Sequence, residues 1–303
     1  MGITPVTYPL APPTVSGDSL TVDAALNPPR RITRRIADIS LQNFIVSRIF
    51  SPGQPVSGGA VVYEQATLNQ LYLDRDVERV MPGDEFPIVG SSRQAPKVAE
   101  VEKYGGKFFV LREARDRNNI AHFNNQVIQL ANTITRKVNT RSVAELEAAI
   151  AGLGGAGTYA GNNWASVVTA GTSASNASAY PAADVAKAQY LADVDELGVQ
   201  YDIWLVNPYQ KYLWGVIYGD RAAQALADNG IREMFASNRI PAGTGYAVAS
   251  GQVGELGIEQ PLETETDYIV KNQKTLVQSS VRPVMYVTNP YSIKKVTGLG
   301  TPA

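Results

Sequence analysis

The chain of 303 residues contains no cysteine and one histidine. Without thiols there can be no disulfide and no thiolate nucleophile, and the usual zinc sets, drawn from cysteine and histidine, cannot be assembled. A Ser–His–Asp site would have to use His122, which falls inside a strongly periodic helical stretch, one step from its apolar stripe; it reads as a polar residue on a helix surface. No G-x-S-x-G surrounds any serine. Long hydrophobic runs are missing too: nothing reaches the roughly 18 uninterrupted apolar residues of a membrane span. The N-terminus has neither the basic nor the apolar region of a secretory signal, so synthesis in the cytosol and no membrane are expected. Charge of one sign is also lacking. The 27 Lys and Arg against 28 Asp and Glu leave a net −1, without the basic footprint of a sequence-reading DNA binder.

Weak motifs do not fill the gap. Gly152, Gly154 and Gly157 spell G-x-G-x-x-G, but they follow a helical stretch where a dinucleotide fingerprint follows a strand; they read as a helix stop and loop. Gly106–Lys107 is followed by Phe108, not by the Ser or Thr of a phosphate loop. Asp193 and Asp195, two apart on a helix, point away from one another. No catalytic residue, cofactor or metal ligand is expected.

What is present is a globular composition, 44% hydrophobic and 18% charged, rich in Gly, Pro and Tyr (26, 18 and 15), which suits an α+β fold with many strands and loops. Residues 1–29 are Pro-rich and read as extended. Ile32, Ile36, Ile39, Ile45 and Ile49 predict a helix over 30–50. Residues 57–112 read as strands, including DRDVERVMPGDEFPIVG, with Gly105–Gly106 as a hairpin turn or a bulge. Ile120, Phe123, Val127, Leu130, Ile134 and Val138 form the clearest stripe, predicting a helix from about Asp116 to Val138. Ser142 and Glu145 have the spacing of a capping box and predict a second helix. A Gly/Ala/Ser/Thr-biased segment follows at 151–181, then a helix from about 182 to 197, the buried strand YDIWLVNP, two more helices, and mostly strands from Arg239 onward.

One stretch is anomalous. In PKVAEVEKYGG neither parity of positions is apolar, so the strand through Val98, Glu100, Glu102 and Tyr104 cannot bury one clean face in its own domain. A neighbouring copy could complete it. Trp204, Tyr209, Tyr212, Trp214 and Tyr218 lie within fifteen residues, a core cluster or an interface. Arg30, Arg31, Arg34 and Arg35 form the one compact basic patch, suited to phosphates or to a neighbour's carboxylates.

The run KVAEVEKYGGKFFVLREARDRNN, leading into the amphipathic helix that ends QLANTITRKVNTR, resembles major capsid proteins of tailed bacteriophages, whose fold is that of phage HK ninety-seven. The resemblance implies an α+β capsid fold with an N-terminal arm (1–50), an E-loop hairpin with flanking strands (51–112) lying over the adjacent subunit, a spine helix in a peripheral domain (113–144), an axial domain (145–258) and returning strands of the peripheral domain (259–303). It implies a structural protein, not an enzyme, which self-assembles in hexamers and pentamers in the host cytoplasm and encloses double-stranded DNA without sequence-specific binding in the virion. Partners would include a portal, a decoration protein and, since only about 50 residues precede the E-loop, a separate scaffolding protein or none. Intersubunit contacts are expected from Val98, Glu100, Glu102, Lys103, Tyr104, Arg112, Arg30, Arg34, Trp214 and Tyr218. The founding member cross-links a Lys to an Asn; Lys97, Lys103 and Lys107 lie in the matching region, but no Asn or assisting Glu matches, so no cross-link is expected. An encapsulin-like compartment would share the fold. A soluble α+β enzyme would need a convergent polar cluster, which the sequence does not offer.

Overall fold

The computed structural model describes residues 22, 26, 29–42, 44–67, 77–88, 90, 95–196 and 198–302. In chain order its main elements are α1 (Arg30–Gln42), β1 (Ser51–Pro55), β2 (Ala60–Tyr63), β3 (Lys97–Glu100), β4 (Tyr104–Leu111), α2 (Ile120–Ala151), β5 (Thr158–Ala160), α3 (Pro181–Val194), β6 (Ile203–Val206), α4 (Pro208–Tyr218), α5 (Ala222–Asp228), β7 (Glu233–Ala236), β8 (Thr244–Val248), β9 (Gly254–Ile269), β10 (Lys274–Val287) and β11 (Ile293–Thr297). Short helical turns lie between them. They divide into two compact units, one of residues 1–44, 102–138 and 259–283, the other of 45–101, 139–258 and 284–303.

In the first unit the predicted stripe enters the core at Phe123 and Val127, with Leu130 partly buried against it. Phe123, Val127 and Ala131 of α2 pack with Ile32 and Ile36 of α1, with Val22 and Leu26, and with Val110 and Val277 from the sheet. Phe108 meets Phe123 edge-on at 6.1 Å between ring centres. Arg30, Arg31, Arg34 and Arg35 occupy the exposed side of α1. The side chains of Ile39, part of the predicted repeat, and of Ile120 lie outside what is described, as does most of the Pro-rich segment.

Three expectations fail here for local reasons. The helix does not begin at Asp116. A short helix over Arg112–Asp116 ends there, Asn118 takes a left-handed φ of 50°, and Asn119 caps a fresh start by accepting from the His122 amide at 3.2 Å. Nor is there a second helix at Ser142. The Ser142 hydroxyl donates back to the Asn139 carbonyl at 2.8 Å, and α2 runs unbroken for 32 residues. The capping-box spacing occurs mid-helix, where neither Gly nor Pro interrupts; the stop comes at Gly152, followed by Gly154 at φ 60°. Third, Gly105 and Gly106 form neither a turn nor a bulge. β4 passes straight through them, paired antiparallel with β10 from Tyr104↔Val281 to Leu111↔Lys274. A Cβ on Gly105 would meet the Ser279 carbonyl oxygen at 2.6 Å, and one on Gly106 would meet Leu130 Cδ1 at 2.6 Å, so close approach accounts for both glycines.

The second unit holds a five-stranded sheet ordered β5-β11-β8-β6-β7. β6 reads IWLV and is buried along its whole length, flanked by antiparallel β8 and parallel β7. Its Trp204 lies 6.4 Å from Trp164, which is 6.1 Å from Trp214 of α4. Ala188 and Ala192 of α3 pack on this cluster, where small side chains admit the indoles. β1, within what was read as a helix stop, pairs in parallel with β9 from Ser51↔Glu255 to Pro55↔Ile258.

Candidate assembly surface

β2 and β3 form a separate two-stranded antiparallel ribbon, with Val62 opposite Val98 and Ala60 opposite Glu100, anchored at one end by Tyr63, whose ring lies 5.0 Å from that of Tyr286. The mixed pattern read from the sequence has a direct counterpart: no residue of β3 is buried, and the facing Val62 and Val98 are 67% and 63% exposed. Two-stranded ribbons are marginal alone. Facing valines in water forgo about 1.5 kcal/mol each of burial that a covering surface could supply.

Beyond the ribbon, residues 77–88 carry no regular secondary structure, contrary to the strand expected over DRDVERVMPGDEFPIVG, whose residues 74–76 and 89 are outside the described set. Pro82, Gly83 and Pro87 interrupt any ladder. Met81, Phe86 and Ile88 are 67%, 79% and 90% exposed. Large apolar side chains so fully in water on one short segment mark a surface made to be covered.

The other expected contact residues are placed as follows. Glu100 and Lys103 are exposed. Glu102 is half-buried; its amide bonds the Pro283 carbonyl at 3.2 Å and its carboxylate accepts from the Tyr104 hydroxyl. Arg112 is exposed and pairs with Asp116 at 3.7 Å across one helical turn. Arg30 and Arg34 project from α1. Trp214 is 3% exposed and its indole donates to the Ala222 carbonyl at 3.1 Å, so it is a core residue of the second unit. Tyr218 is half-buried against it, 4.5 Å between rings, and its hydroxyl accepts from the Ala182 amide; burial pushes its pKa up. Sequence reasoning passed over Val62, Phe86, Ile88, Phe109 and Leu111. A signal existed for the last two: FFVL is apolar at every position, so both faces of β4 ask for cover.

His122 is exposed at the start of α2, and no group of acidic or histidine side chains that could hold a metal occurs among the described residues. No described helix is long and apolar enough to cross a membrane. The geometry is that of exposed apolar surface. The sequence family described as phage capsid protein matches residues 94–296. The chain belongs to the phage capsid protein family. The matched span begins just before β3, covers α2 and ends at Val296, one residue short of the end of β11.

Solved structures extend the likeness to the fold. A Mycobacterium phage Bobi chain is 13% identical with a TM-score of 0.59, covering 87% of this chain and 91% of that one. A virus-like particle from Pyrococcus furiosus gives 11%, 0.57, 88% and 98%. The capsid of cyanophage P-SCSP1u gives 13%, 0.57, 86% and 89%. No curated protein sequence matches the chain. This phage capsid protein thus has the α+β fold of the HK ninety-seven type, and capsid membership makes it a structural component of a virion.

Proposed function

We propose that this chain is the major capsid protein of a tailed phage, self-assembling as hexamers and pentamers into an icosahedral shell around a double-stranded DNA genome. One observation carries the reading: an extended ribbon and the segment after it expose valines, a phenylalanine and an isoleucine that a soluble monomer has no reason to leave in water. Each copy would lay residues 51–112 as an E-loop over its neighbour, with 1–50 as an arm, 113–144 as the spine, 145–258 around the symmetry axes and 259–303 returning to the peripheral domain. The mechanism is mechanical. Burial of apolar area at many repeated contacts closes a curved lattice, and charged residues such as Glu100, Lys103 and Arg112 set register more than affinity. A net charge of −1 suits a wall that must not grip a packaged polyanion. Assembly would take place in the host cytoplasm, with a portal and a decoration protein as partners.

A second reading keeps the shell and changes its contents. The likeness to the Pyrococcus furiosus virus-like particle, covering 98% of that chain, favours an encapsulin-like compartment. Electron microscopy of the purified chain, followed by nuclease-protected DNA and protein analysis of recovered particles, separates the two. Shells with DNA are expected; shells with a protein cargo would select the compartment, and a uniform monomer would remove both.

A further inference from the structure

We propose that the arginine face of α1, formed by Arg30, Arg31, Arg34 and Arg35, binds the phosphate backbone of duplex DNA and so marks the side of the subunit turned toward the packaged genome. This rests on the DNA-enclosing shell proposed above and adds to it the contacting residues and the orientation of the first unit.

The helical period gathers the four arginines. At steps of one, three and one residues they fall on an arc of about 140° and within about 7.5 Å along the axis. All four are exposed, while Ile32 and Ile36, 2% and 0% exposed, lock the opposite side of the helix into the core. The arc is therefore held outward. From Arg30 to Asp38 it bears no apolar side chain, and Asp38 is the single acid of the helix. Protein interfaces bury apolar groups at their centre, so a patch of guanidinium groups alone suits a polyanion better than a neighbouring copy. Arg30, Arg34 and Arg35 have no ion pair among the described residues. Nor does the helix gain from them. Positive charge early in a helix adds to the positive end of its dipole, and no acidic residue occupies the first turn. Phosphate offsets that cost, since each planar guanidinium can hold two of its oxygens at once.

The rest of the helical layer points the same way. From Ile120 to Asn139 α2 carries Arg136 and Lys137, both exposed, and no carboxylate. Across the core, the open face of the sheet is mixed. Phe108 and Val110 of β4 point into the core, and the Thr264 hydroxyl bonds Ser279 at 2.8 Å on that buried side. The alternate positions face outward, where Lys103, Lys107 and Lys274 are matched by Glu263, Glu265 and Asp267. The first unit is thus basic on its helical side and balanced on its sheet side, and a polyanion is drawn to the former. Contacts to backbone phosphates carry no sequence information, and a few per subunit on a chain of net charge −1 hold DNA without gripping it.

The chain has no cysteine, so a single one reports position cleanly. Ala37→Cys lies beside the arc, three residues after Arg34, and Gln278→Cys lies on the open sheet face, opposite Lys107. Each is labelled with a photoreactive azidophenacyl group, assembled in the presence of a short DNA duplex and irradiated. The label at Ala37→Cys should give at least about ten times more DNA adduct than the label at Gln278→Cys, alike for two unrelated sequences, and the adduct should fade as salt rises from about 50 to 200 mM. Adding Arg30→Gln, Arg31→Gln, Arg34→Gln and Arg35→Gln to the Ala37→Cys chain should abolish it, with shells still seen by electron microscopy. Shells with no adduct at Ala37→Cys, or with equal adduct from both positions, would overturn the phosphate surface and leave the shell standing. Joining of the Ala37→Cys label to a second copy instead of DNA would assign the face to a protein contact and overturn it as well. A wild type that forms no shell would overturn the functional reading, and the same two labels on the free chain would still decide whether the arginines hold duplex.

Discussion

Asp184 shows what single side chains contribute to this subunit. It is 1% exposed, and its carboxylate accepts from the Trp164 indole at 2.7 Å and from the Asn162 amide at 3.0 Å, pinning the loop after β5 to α3. Asp184→Ala would strand those donors inside the protein, a cost of about 2–3 kcal/mol, which thermal unfolding should report as a clear fall in Tm. Burial raises this carboxyl above its ordinary 3.8, and the bonds from Trp164 and Asn162, with Lys187 nearby, offset only part of the rise. The folded chain therefore holds the proton more tightly than the unfolded one. At this site stability is greatest below pH 3.8 and declines as pH rises from 3.8 through the folded value. Wild type should gain on Asp184→Asn as pH is lowered from neutral toward 3.8; parallel curves would contradict the raised carboxyl.

At the scale of elements, α2 and β4 are the frame on which the first unit is built. Phe123→Asp would put an unpaired charge against Phe108, Val127 and Ile36, and a loss of at least about 3 kcal/mol is expected; an unchanged melting temperature would refute the stripe. Gly105→Ala should cost more than Gly106→Ala. The first would push a methyl into the Ser279 backbone, whereas the second meets the free end of Leu130, which can turn aside. Comparative chemical denaturation reads the difference directly. These elements also show where the sequence was legible. The 3.6-residue period over Phe123–Val138 named the buried face of α2, and the apolar run IWLV named a strand buried on both sides. The continuity of α2 past Ser142 was hidden because S-x-x-E has the same spacing inside a helix as at its start. The straight passage of β4 through two glycines was hidden because their reason is a neighbour distant in sequence, the Ser279 strand. Trp214 could be core or interface by composition alone; only packing against Trp164 settled it.

For the whole molecule the decisive feature is apolar surface that the chain does not cover for itself. The mixed faces of KVAEVEKY pointed to the ribbon, but Val62, Phe86 and Ile88 carried no periodic signal, since an interface with another copy imposes no repeat on either strand or loop. If those groups are there to be buried by sister copies, polar substitution should leave the subunit intact and stop the lattice. Val62 and Val98 face one another, contribute nothing to either core, and can be changed without opening a cavity. The most direct measurement is therefore sedimentation velocity, with electron microscopy of the fractions, on wild type and on Val62→Asp with Val98→Asp. The wild type should run as closed shells, and the double variant as folded free subunits with an unchanged far-ultraviolet circular dichroism spectrum. Shells of normal size and yield from the double variant would contradict the claim that the ribbon is completed by its neighbours.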